Sequence, residues 1–137
     1  KRTEGPPTMA IETTAQILHD GQRNLTMQFT GRHDGIGGQE TKVRKVDVSA
    51  LAPPCDTVKI VKITYEVSGG ILQMYWDDVA PVLFQELAGN SIIDYGRIGG
   101  MVNGADPASR SGDILFSTVG FDAGSSYSVT IQMKKKF

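Results

Sequence analysis

The 137-residue chain has a single cysteine, Cys55, which excludes an intrachain disulfide and a four-cysteine zinc site. It has no run near the ~18 apolar residues of a membrane span, and polar Lys1 to Thr8 stands where a secretory apolar segment would begin. Charge of one sign is missing too: 14 Lys and Arg oppose 15 Asp and Glu, so nothing global attracts nucleic acid or anionic lipid. Tryptophan occurs once, and ten aromatic residues must serve both core and surface, which disfavours a stacking platform for bases or sugars. Helix-length periodic segments are nearly absent as well.

Short strands and glycine turns are what the chain does contain. Val, Ile and Thr each occur eleven times, and sixteen Gly face only six Pro, a usage that favours many strands joined by tight turns. With 39% hydrophobic and 21% charged residues, the composition is that of one globular domain large enough to build its own core.

Lys1 to Met9 carries Gly5, Pro6 and Pro7 without apolar periodicity, so residues 1–9 read as an extended arm, with Met9 a candidate initiator, and residues 10–137 as the domain. Strand character begins at Thr13 and breaks at Asp20-Gly21, a hairpin signal. Leu25, Met27 and Phe29 then alternate with polar residues as one buried face. After His33-Asp34-Gly35 and further glycines, Val43, Val46 and Val48 change parity, which predicts a bulge near Arg44 and Lys45. Thr57 to Ser68 also switches parity, and Gly69-Gly70 predicts a hairpin into Ile71 to Trp76. Asp77 to Gly89 fits a short helix capped by Asp78 or a strand at Val82 to Leu87 equally. Gly99 to Arg110 reads as a long loop. Asp113 to Thr118 is expected to pair with Ser126 to Met133 across Asp122-Ala123-Gly124, with Tyr127, Val129, Ile131 and Met133 facing inward. The expected fold is an all-β, single-domain β-sandwich of jelly-roll type with eight or nine short strands and at most one short helix, burying Trp76 and Tyr127.

Candidate chemistry is sparse. His19, Asp20, His33 and Asp34 offer two imidazoles and two carboxylates on neighbouring turns, enough to invite a divalent ion, but Asp-Gly turn geometry explains them without one. Asp77 and Asp78 lack the alternating carboxylates of a calcium loop and fit capping or turn formation. There is no Gly-x-Ser-x-Gly elbow, Cys55 has no activating neighbour, and the glycine clusters lack the phosphate-loop lysine. The sequence therefore predicts no enzyme activity, no metal and no cofactor. Lys42, Arg44, Lys45, Lys59 and Lys62 put five of the fourteen basic residues on two adjacent expected strands, where a solvated sheet face accounts for them. Together with Lys1 and Arg2 of the arm they are also the candidate partner-docking residues, matched to an acidic partner surface.

Val58 to Val67, followed by Gly70, Leu72 and Trp76-Asp77, resembles a group of small virion structural proteins of tailed bacteriophages. So do Glu86 to Gly89 with Ile93-Asp94-Tyr95, Gly99-Gly100 before Asn103-Gly104, and Gly112 to Thr118. The likeness covers roughly Ala10 to Phe137, and Lys1 to Met9 has no counterpart in it. It implies a capsid decoration or cement subunit, synthesised in the bacterial host cytoplasm and placed on the capsid surface. The implied partners are the major capsid protein and further copies of the chain, a trimer foremost, without membrane or direct nucleic-acid contact. A tail or neck component and a tail-associated glycan-binding module are the alternatives.

Overall fold

The computed structural model describes residues 11–35 and 38–137. The expected arm at residues 1–9, with the docking candidates Lys1 and Arg2, lies outside the described residues. Seven strands make up the described chain: β1 (Ile11–Asp20), β2 (Asn24–His33), β3 (Val43–Val46), β4 (Thr57–Trp76), β5 (Val82–Asp94), β6 (Ile114–Val119) and β7 (Ser126–Lys136). Two single-turn 3-10 helices, Val48–Ala50 and Gly96–Ile98, accompany them. Among the described residues no helix is long and apolar enough to cross a membrane.

The twenty residues of β4 organise everything else. Along one edge, β4 pairs with β7 over Thr57 to Ser68 and then with β6 over Ile71 to Trp76. Strand β5 follows its other edge through both halves, interrupted between Val67 and Leu72. One sheet is therefore β1-β2-β7-β4-β5, the other is β3-β6-β4-β5, and the β4–β5 ribbon bends from one into the other. The bend makes a β-sandwich, because strands that switch sheets do so at bulges and glycines. Gly69 lies at φ +83°, and a side chain on Gly70 would run into the Phe121 ring.

The core fills the space between the sheets. Phe29 of β2 meets Phe116 of β6 edge-on at 5.2 Å, and Trp76 stacks on Phe84 at 4.4 Å. Leu25, Met27 and Phe29 are buried, as are Tyr127, Val129, Ile131 and Met133, so both period-2 readings hold, and Trp76 and Tyr127 are buried as expected. The register breaks of β3 between Arg44 and Val46, and of β4 between Ile60 and Lys62, sit where parity changes in the sequence. At Gly31 the absent side chain leaves room for the Tyr127 ring, its register partner on β7.

Two expectations are corrected and one open alternative is decided. Gly69-Gly70 is a corner within one strand, so the count is seven instead of eight or nine; a glycine pair permits a bend as readily as a turn, and shared pairing with β5 selects the bend. Of the two readings open at Asp77 to Gly89 the strand is the one realised, within β5 (Val82–Asp94), because pairing along β4 outweighs a local capping signal. Strands β6 and β7 do not pair with each other; the turn at Asp122 to Gly124 carries the chain from one sheet to the other.

Candidate functional site

The five basic docking candidates of the domain do not form one patch. Strand β3 hydrogen-bonds to β6 at the far edge of its sheet, whereas Lys59 and Lys62 lie on the half of β4 that pairs with β7. Sequence proximity of two strand patterns says nothing of their order in a sheet. Lys42, at φ +46°, extends its ammonium over the Tyr75 ring, 5.4 Å from the centroid. Arg44 is half exposed and binds Asp113 at 2.7 Å and Asp77 at 3.5 Å.

Lys45 is the clearest departure from a solvated basic face. Its side chain is only 7% exposed, and its ammonium lies 2.7 Å from Glu40 Oε2. The other oxygen of Glu40 accepts a 2.7 Å hydrogen bond from the Tyr127 hydroxyl. Burial and the Glu40 charge push the Tyr127 phenol well above its usual range. This buried Lys–Glu–Tyr triad binds β3 and the segment before it to the start of β7, and Lys45 presents no charge to a partner.

A second buried cation was not anticipated. Lys135 has no exposed side-chain surface, pairs with Asp20 and donates to the Pro53 carbonyl at 2.9 Å. The hydrogen bond from Lys135 holds the Asp20 carboxyl below the ordinary aspartate value, aided by the Ala52 N–H at 2.9 Å. Period-2 counting through Ile131, Met133 and Lys135 carries the signal, since it sends the middle lysine of Lys134-Lys135-Lys136 inward and its neighbours outward.

The histidine turns are separated. His19 pairs with Thr26 near one end of the β1–β2 hairpin and His33 with Ile11 at the other, about 25 Å apart by strand rise. The expectation of neighbouring turns is thus corrected. Asp20 is committed to Lys135, and His33 Nδ1 accepts the Gly35 N–H at 2.9 Å. Among the described residues no group of three metal-ligating side chains converges.

Asp77 and Asp78 shape the 103–113 loop, in keeping with turn formation. Asp77 accepts the Ser111 hydroxyl at 2.6 Å, while Asp78 accepts the Ser109 hydroxyl and the Asp106 N–H. Asp113 accepts the buried Val48 N–H at 2.9 Å, and its own burial raises its carboxyl pKa despite Arg44. Cys55 is a half-buried free thiol whose pKa burial raises, which keeps it protonated and weakly nucleophilic.

The exposed basic cluster that does form lies elsewhere. Arg23, Lys59, Lys134 and Lys136 converge with the rim of Lys135 around an open groove at one end of the larger sheet. Lys59 and Lys134 are direct cross-strand partners. Only Lys59 of this group was among the docking candidates. Lys62 lies on the same strand opposite Gln132 and Asp94 and stays half-buried.

No protein-family model matches the chain, and no curated protein does. Among solved structures it is similar to a cupin superfamily protein from Desulfitobacterium hafniense DCB-2, at 10% identity over 98% of this chain and 84% of that one, with a TM-score of 0.36. It is also similar to a family 11 carbohydrate-binding module from Clostridium thermocellum, solved with a β-1,3-1,4-mixed-linked tetrasaccharide, at 9% identity over 94% and 86% of the two chains, with a TM-score of 0.29.

Proposed function

We propose that the chain is a non-enzymatic structural subunit of a tailed-phage virion, a decoration protein that docks on the assembled head and stabilises it by contact area. The observation that carries this reading is the employment of the charged side chains: Asp20, Glu40, Lys45, Asp113 and Lys135 are all spent on holding the sandwich together. A rigid scaffold of this kind supports function at its surface. Its sequence resemblance to small virion proteins supplies the setting.

A subunit that binds the assembled shell and not its free components stabilises the shell by mass action. A standard interface for this purpose buries roughly 800 Å² on each partner, well within the reach of one sheet face. The outward face of the larger sheet carries Thr26, Gln28, Thr30, Thr64, Ser128, Thr130 and Gln132 and, among the described residues, no Phe, Tyr or Trp ring. Sugar recognition rests on exposed aromatic stacking, so this face favours protein contact over glycan.

Co-sedimentation with purified phage heads and tails tests the proposal. The expected result is saturable recovery with heads. Recovery with tails alone, with insoluble glycan alone, or with none of these overturns the decoration reading.

A further inference from the structure

We infer that the groove formed by Arg23, Lys59, Lys134 and Lys136 is a binding site for a short acidic protein segment. The inference refines the docking reading above and rests on it for taking the partner to be a protein. Lys59 on β4 and Lys134 on β7 stand directly opposite each other, and Thr57 and Lys136 occupy the register two residues on. Like charges directly across a strand pair destabilise a sheet, so this arrangement is held against the stability of the free protein. Arg23, in the loop that follows Asp20-Gly21, brings a third strand connection to the same point, where its carbonyl accepts the Lys135 N–H at 2.6 Å.

Among the described residues no carboxylate pairs with Arg23, Lys59, Lys134 or Lys136, whereas Lys45, Lys135, Arg44 and Arg110 all have acidic partners. Within a chain of net charge −1, this groove gathers four cations without acidic partners among the described residues. Lys135 is fixed from beneath by Asp20 and the Pro53 carbonyl, which anchors the strand that carries Lys134 and Lys136. A bound anion would find the backbone already ordered.

The extent of the groove selects the occupant. Further along the outer face Lys62 stands opposite Gln132 with Asp94 on its other side, and Thr64, Thr130, Ser128 and the acidic Glu66 follow, so the excess of cations forms a short cluster instead of a track. A nucleic-acid backbone presents a charge every few ångströms along its length and favours a continuous basic stripe. A second groove shares Lys59 and Lys136 and adds Val102 and Phe137, which are 64% and 72% exposed. Cations beside exposed apolar side chains match a segment carrying two or three carboxylates next to an apolar residue.

The test is fluorescence titration of the full chain with a labelled ten-residue glutamate-rich peptide containing one Leu, and with a single-stranded oligothymidylate of equal charge. The expected result is saturable peptide binding at low salt that weakens steeply with added salt. Lys59→Gln with Lys134→Gln should weaken it at least tenfold, and Lys134→Glu alone more than Lys134→Gln alone, whereas Lys42→Gln, just before β3, leaves it unchanged. Both neutral variants should melt no lower than the parent, because they remove a repulsion. Absence of peptide binding by the parent, equal binding by the folded double variant, or tighter binding of the oligonucleotide overturns the inference. Peptide binding without attachment to virion heads removes the decoration reading and leaves the site standing.

Discussion

Lys45 and Lys42 are three residues apart and serve opposite ends. Lys45 is enclosed with Glu40 and Tyr127, so its replacement by Met leaves a buried carboxylate without its cation and should cost about 3–5 kcal/mol. Lys42 is exposed over Tyr75, and Lys42→Met should stay within about 1 kcal/mol. Urea unfolding monitored by Trp76 fluorescence distinguishes the two. The acid limb of stability belongs to the same scale. The carboxyls of Asp20, Asp47 and Asp78 titrate below their ordinary value in the folded chain, through hydrogen bonds from Lys135, Ser49 and Ser109 respectively. Their contribution is complete above the unfolded carboxylate pKa and is lost as pH falls below it through the lower folded values. Asp113 acts in the opposite sense, since burial raises its pKa and protonation relieves that cost. Denaturant midpoints measured from pH 7 to pH 2 should therefore fall, and Asp20→Asn should be less stable at neutral pH with a shallower acid slope. An unchanged slope would remove Asp20 from this account.

At the scale of elements, alternation was legible and adjacency was not. The buried faces of β2 and β7 follow from Leu25-x-Met27-x-Phe29 and from Tyr127 to Met133, because side-chain direction in a strand depends on parity alone. The bulges were legible for the same reason. Which strand lies beside which depends on long-range pairing that no local pattern encodes, so the expected neighbourhood of the Lys42 and Lys62 strands, and the β6–β7 pair, were both incorrect. The groove went unseen because it gathers Arg23, Lys59 and Lys134 from three distant segments. The corner of β4 carries a direct consequence. Gly70→Ala places a methyl group against Phe121 and the Val119 carbonyl and should cost about 1–3 kcal/mol, whereas Gly104→Ala, in open space, should change stability by less than about 0.5 kcal/mol. Thermal melts of the two variants decide whether the bend is held as tightly as the packing indicates.

For the whole molecule, a sandwich whose charged side chains brace its own strands leaves surface as its means of action. Strand β1 lines the outer edge of the larger sheet, with Ile17 and Leu18 about half exposed. The virion resemblance leads to the expectation of a trimer, and sedimentation equilibrium should then find three times the 14.8 kDa chain mass. A purely monomeric protein at high concentration would separate the chain from that aspect of the resemblance. The most direct test of the central claim is immunogold electron microscopy on virions produced by the genome that encodes this chain. Gold distributed over the head surface is the result that a decoration subunit predicts, and purified virions without label would contradict it.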